Sequence, residues 1–336
     1  EKVVPPISSE LLQVSLDLAL QKMVSLGLTG VHEMGVNRSV LELYQQRIRE
    51  GRLPTRVYAF ADGVGDTLDW LCENGALDDA SGRLYMRAVK MYIDGAMGSR
   101  GAALLADYAD ADGNTGLLFM SPDALGSGIG KAFGCGLQVG VHAIGDRGNL
   151  VALDALEASI ESYPDNPGRH RVEHAQTLTG PDISRFSQLN VIAAMQPTHA
   201  TSDMYWIGQR LGPERVLFAY AWRSLLDSGA RLALGSDFPV EQVSPLLTFY
   251  AAVSRQDLKG YPEGGFQMQN ALTREEALKG MTIWAAYASF EEQEKGSIES
   301  GKFADFIILD KDIMEVPVQD IPNIKVQHTF IDGVAQ

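Results

Sequence analysis

Residues 137–146 read Leu-Gln-Val-Gly-Val-His-Ala-Ile-Gly-Asp, a short apolar run that ends in a histidine and turns at once into a helix. Helix is expected over 149–162, because Leu150, Leu153, Leu156 and Ile160 recur at helical spacing and form one buried stripe. The result is a strand–turn–helix unit with His142 at the carboxyl end of its strand. In parallel α/β barrels, reactive side chains gather at that end. A single such histidine is equally readable as a buried strand cap, since position on a fold does not by itself assign a function.

The unit recurs. Residues 169–174 end a strand in His174, residues 230–237 end one in Asp237, and residues 87–94 carry Lys90 inside one. The same β-then-α alternation gives seven candidate strands, at 28–33, 55–61, 86–93, 137–142, 169–174, 190–195 and 230–236. Alternation of this kind predicts a parallel sheet with a helical surround. Seven strands are one short of a closed (β/α)8 barrel. Two tail strands, at 304–310 and 325–331, read as a separate small β element. The division expected is a barrel over 1–300 and a β-sandwich remnant over 301–336.

Helix starts are written into the chain as cap residues: Ser8, Ser121 before Pro122, Thr179 before Gly-Pro-Asp, and Thr273 with Glu276 as a capping box. The last two helices are expected over 213–227 and 273–290. A polar loop over 95–116 is long enough to be functional at a barrel mouth. Its acidic residues Asp107, Asp110 and Asp112 read best as solvated surface.

Composition narrows the function. The 336 residues carry 28 basic and 43 acidic side chains, a net charge of −15, and show no basic cluster. That excludes nucleic acid and anionic membrane as expected partners, and no apolar run approaches a membrane span. Cys72 and Cys135 are too few for a disulfide framework and are expected to be free, buried thiols. A reducing, cytoplasmic location fits that expectation. Lysine, two histidines and an aspartate, each on its own strand, make a donor set that suits zinc or a similar divalent ion.

Taken in order, Lys90-Met-Tyr-Ile-Asp-Gly-Ala-Met-Gly-Ser-Arg100, Val141-His-Ala-Ile-Gly-Asp146, Arg171-Val-Glu-His-Ala175, Met195-Gln-Pro-Thr-His199 and Gly235-Ser-Asp-Phe-Pro239 resemble the amidohydrolase superfamily. The resemblance is to its metal-dependent hydrolases that include N-substituted formamide deformylases. The tail from Gly296 to Asp310 resembles that superfamily's return to its β-sandwich. The fold implied is a TIM-like (β/α)8 metal-dependent hydrolase barrel.

The roles that follow are those the resemblance implies. Lys90 is a carbamylated lysine bridging two metals, and His142 and His174 ligate the second. Asp237 binds the first metal and shuttles protons for a metal-held hydroxide. The reaction implied is hydrolysis of C–N, amide-type bonds in a small molecule, with one or two divalent ions, zinc foremost, and a carbon dioxide-derived carbamate on Lys90. Read from the residues themselves, His199 is a substrate or oxyanion contact or else structural, and Arg100 meets a substrate carboxylate or else makes a salt bridge within its loop. The superfamily's His-x-His pair, which lies on its first barrel strand, has no counterpart here. The expectation is therefore a barrel lacking its first strand, with at most one well-occupied metal site and little hydrolysis. A second reading is an inactive barrel fragment serving as scaffold or partner-binding domain. Open sheet edges near 28–33 and 230–236 also invite a homodimer.

Overall fold

The computed structural model describes residues 7–336. Its main sheet runs β1 (Gly30–Val36), β2 (Arg56–Asp62), β4 (Leu84–Tyr92), β5 (Gln138–Ala143), β6 (Arg171–His174), β7 (Ile192–Met195) and β8 (Arg231–Leu234), in sequence order, with every neighbour parallel. A two-residue β3 (Leu77–Asp78) adds antiparallel to β4. These are the seven strands expected, displaced by no more than a few residues. β1 and β8 are not hydrogen-bonded to one another, so the barrel-like sheet stays open between them.

The central parallel strands are shielded on both faces, as a sheet covered by helices must be, whereas six of the seven residues of the edge strand β1 are only partly buried. Six of the seven residues of β2 are buried. Alternate residues of a strand face opposite ways. One set packs outward under helices α2 (Arg38–Arg49), α3 (Asp66–Asn74), α4 (Pro122–Gly134), α5 (Asp146–Ser162) and α6 (Gly180–Gln188). The other set fills the interior, where Tyr58, Phe60 and Ala88 form a small buried cluster. Tyr58 donates to Gln138 Oε1 at 2.8 Å, which satisfies a hydroxyl that is fully buried.

The caps read from sequence form. Ser8 accepts from Leu11 N at 3.1 Å at the start of α1 (Ser9–Ser25), Ser121 from Ala124 N at 3.2 Å, and Thr179 from Asp182 N at 3.3 Å. Thr273 and Glu276 make the reciprocal capping box. Two expected helices are instead divided. Gly212, at φ 75°, kinks α8 (Ile207–Arg215), which follows α7 (Pro197–Asp203). The 213–227 stretch divides into the end of α8, a one-turn 3₁₀ segment over Val216–Phe218 and α9 (Trp222–Asp227), with Ala219 extended and Tyr220 at φ 52° before α9. Beyond α10 (Pro245–Ser254), the capping-box helix stops at Thr282, φ −125° and ψ −97°, which separates α11 (Arg274–Met281) from α12 (Ile283–Ala288).

A second, antiparallel sheet of β9 (Phe306–Leu309), β10 (Val326–Ile331) and β11 (Val334–Ala335) closes the chain. Arg56 of β2 ties it to the barrel. Its guanidinium is 1% exposed and meets Asp305 at 2.6 Å, Asp332, and the Gly82 carbonyl at 2.8 Å, so a deeply buried cation is fully partnered.

The cysteine expectation is overturned. Cys72 on α3 and Cys135 at the end of α4 form a disulfide, with Cα atoms 5.1 Å apart. A separation of 63 residues hides this pairing in the sequence. The parallel β2–β4–β5 order sets α3 beside α4 and brings the two thiols together, within the range a disulfide can bridge.

Candidate metal centre

Asp237, His174 and His199 come from three successive β/α units, yet their donor atoms lie within 4.8 Å of one another. His174 ends β6 with φ 75°, and Asp237 follows β8 with φ 59°. Left-handed backbone at two non-glycine residues costs free energy and recurs at functional positions. At His174 it swings the ring from the alternation of its strand toward the carboxyl mouth. Gln196 then holds that ring, with Oε1 2.8 Å from Nδ1. Pro197 starts α7 directly after β7, and α7 carries His199 inward, where Nε2 sits 3.6 Å from Asp237 Oδ2.

His142 stands beside this trio. Its ring packs edge-on to His174 with centroids 4.5 Å apart. His174 in turn faces His199 at 5.8 Å, so the three imidazoles form a continuous row. The Nε2 atoms of His142 and His199 are both buried without a hydrogen-bond partner. Burial holds all three rings neutral: His142 is lowered to about 3, His199 to about 4, and His174 well below the usual range, with the charge of Lys90 adding to the effect at His142 and His174.

Lys90 is 3% exposed and points into the same interior. Its Nζ lies 5.0 Å from the Tyr92 ring centroid and joins none of the ion pairs among the described residues. Burial lowers its pKa to about 8, against the pull of Glu173 and Asp237. Glu173 does not neutralise it at contact distance, because it is spent on Arg171, with Nε to Oε1 2.8 Å and Nη2 to Oε2 3.0 Å. Arg171 also meets His32 Nδ1 at 2.8 Å, which places His32 in the barrel floor. Asp237 is pushed above the usual carboxylate range, chiefly by burial.

Asp94 shares the parity of Lys90 but does not pair with it. It is fully buried and accepts three backbone N–H bonds, from Ala103 at 2.9 Å, Ile144 at 3.0 Å and Gly145 at 2.8 Å. It thus clamps the 95–116 loop to the end of β5, with Oδ1 3.6 Å from His142 Nε2. This role is not legible along the chain, because the three donors are backbone atoms, two of them about fifty residues away. A Cβ on Gly148 would reach Asp94 Oδ2 at 2.5 Å, so that glycine is a requirement of the clamp.

Other candidates lie elsewhere. Arg100 is held by Asp110, with Nε to Oδ1 3.0 Å and Nη2 to Oδ2 2.9 Å, and Arg210 shares the same carboxylate. It is therefore not free to greet a carboxylate. His170 is a core residue, stacked on Phe133 at 3.9 Å. Trp222 is fully buried under Arg255, while Tyr205 is exposed and stacks on Tyr261 at 5.4 Å. A cavity of about 340 Å³ between α1 and β10 contains none of the site residues.

The chain is 38% identical over 251 residues to the protein LONG AFTER FAR-RED 3 of Arabidopsis thaliana, covering 74% of this chain and 42% of that protein. It is 32% identical over 340 residues to the Bacillus subtilis (strain 168) protein YtcJ, covering 99% and 62%. It is 28% identical over 325 residues to the N-substituted formamide deformylase of Arthrobacter pascens, covering 93% and 57%. The chain thus spans less than two thirds of the length of these relatives. A crystal structure of an uncharacterized metal-dependent hydrolase from Pyrococcus horikoshii OT3 superposes with a TM-score of 0.83 at 32% identity, over 93% of this chain and 62% of that one. The amidohydrolase family model matches residues 2–335, and the chain belongs to the amidohydrolase family.

Proposed function

We propose that this chain carries the metal centre of a hydrolase acting on C–N, amide-type bonds of small molecules. The observation that supports it most is the convergence of His174, His199 and Asp237 within 4.8 Å, next to His142 and Lys90. The donors fit a divalent cation, zinc foremost: two buried imidazole nitrogens lack any partner, the rings are neutral, and a carboxylate lies beside them. Such an ion, when bound, polarises the scissile carbonyl and acidifies water.

The chain's own residues supply the rest. His174, His199 and Asp237, with His142 beside them, would hold the ion, and Gln196 fixes the orientation of His174. Lys90, with its pKa lowered to about 8, has a free-amine fraction at neutral pH that can take up carbon dioxide as a carbamate, an anionic ligand from the barrel interior. Asp237, held above the usual carboxylate range, accepts the proton of the attacking water and returns it to the leaving nitrogen. His199 thus joins the donors as well as facing substrate.

The unpaired sheet ends at β1 and β8 favour a second reading, a barrel that docks on another chain or on its own copy across those edges. Among the described residues no helix is long and apolar enough to cross a membrane. The Cys72–Cys135 disulfide weighs against the cytoplasmic location expected from sequence, since reducing compartments keep such thiols apart.

Elemental analysis of protein purified without chelators is the test. Metal should be retained by the wild type and lost from His142→Ala and His199→Ala. Metal content unchanged in both variants overturns the site.

A further inference from the structure

A second cavity, of about 230 Å³, has none of the proposed donors in its wall but is lined by Thr198, next to His199, and by Glu241, whose charge is felt at Asp237. Its walls are α7 and Tyr205 beyond it, Glu241 with Gln242, α10, and the segment 256–258 that follows α10. Thr198 lines it and is 8% exposed, with its Oγ1 lacking any partner. The Ser202 hydroxyl lies 3.2 Å from the His199 carbonyl and 2.6 Å from Glu241 Oε1. Leu247, Leu258 and Tyr205 supply apolar wall.

Charge in this cavity has one sign. Asp257 is satisfied by its own loop, accepting from Lys259 N at 2.8 Å, Tyr261 N at 2.9 Å and the Tyr205 hydroxyl. Glu241 is half-buried and pairs with no lysine or arginine among the described residues; its one hydrogen bond comes from Ser202. A cationic substituent would complete the Glu241 carboxylate, which the fold leaves without a cation partner. The size fits a single ring with a short arm, since a cavity of about 150 Å³ already holds benzene.

We propose that this cavity is a substrate subsite for a cationic substituent, an amine, amidine or guanidine on a ring or short chain, with Glu241 as its counter-charge. The inference rests on the hydrolase reading for its connection to catalysis, and its test is independent of turnover. Calorimetric titration of the protein as purified compares benzamidine with its neutral isostere benzamide. Benzamidine should bind saturably and about tenfold or more tighter, the scale of one charge-assisted pair. Glu241→Gln should erase the difference while keeping the melting temperature, and Leu247→Trp, which fills the cavity, should lose both ligands. Equal binding of the two probes, or an undiminished preference in Glu241→Gln, overturns the subsite. Metal content of the same samples separates the two ideas. Selective benzamidine binding without metal overturns the hydrolase reading alone; metal without selectivity overturns the subsite alone.

Discussion

Gly145→Ala should damage this protein far beyond what a single methyl group implies. Gly145 caps α5 with φ −75°, so its backbone would accept any residue. What forbids a side chain is proximity: a Cβ there would overlap the Ala103 carbonyl oxygen, with the carbonyl carbon at 2.6 Å and the amide nitrogen at 2.8 Å. Ordinary contact between such atoms begins near 3.5 Å, so the two segments must separate by roughly an ångström. Four hydrogen bonds span that gap: Gly145 N to Asp94 at 2.8 Å, Ala103 N to Asp94 at 2.9 Å, and the Ala103 carbonyl from Arg147 N at 3.1 Å and Gly148 N at 3.2 Å. Losing two costs about 2 kcal/mol, and overpacking adds about 1–3 kcal/mol, for a total of about 3–5 kcal/mol. With an unfolding entropy of about 2.1 cal/mol/K per residue, the melting temperature should fall by about 4–7 °C. Gly126→Ala is the control, because a Cβ there meets nothing within 4 Å inside α4. It should be neutral or stabilising by up to about 1 kcal/mol. Differential scanning calorimetry on both variants decides. A Gly145→Ala protein melting within about 1.5 °C of wild type, the equivalent of 1 kcal/mol, would refute the clamp.

Three further outcomes are expected. Folding depresses the pKa of His170 to about 3 and that of His32 well below 6.5, and neither is among the proposed metal ligands. Depressed groups bind fewer protons folded than unfolded, so stability is full above pH 6.5 and falls as pH drops toward the folded values. Asp94 and Asp203, raised to about 6, titrate with the opposite sign in this window, so the rings are read by difference. Between pH 6.5 and 5 the urea midpoint of the wild type should fall more steeply than that of His170→Phe, by up to about one proton, and equal slopes would show that this ring is not buried neutral. Reducing the Cys72–Cys135 bridge, or replacing both residues with serine, should cost about 4 kcal/mol through loop entropy over the 63-residue separation, read as an earlier chemical-unfolding midpoint; no change would place the thiols apart in solution. Protein exchanged into ¹³C-bicarbonate should show a carbamate carbon resonance that Lys90→Ala removes, and its persistence in the variant would move the modification to another lysine.

What the sequence determined by itself is local. Period-two and period-3.6 apolar patterns place the strands and most helices, and Ser8, Ser121, Thr179 and Thr273 mark helix starts, because those signals act over a few residues. Strand ends carrying Lys90, His142, His174 and Asp237 are legible for the same reason. Tertiary structure alone decided what long-range approach creates. It seats His199 beside Asp237, spends Arg100 on Asp110 and turns Asp94 into a backbone clamp. It also joins Cys72 to Cys135 and leaves Glu241 without a cation. Each depends on atoms brought together by the order of parallel strands and by left-handed turns at His174 and Asp237. No pattern along the chain encodes such a meeting, since the partners share neither a helix face nor a strand.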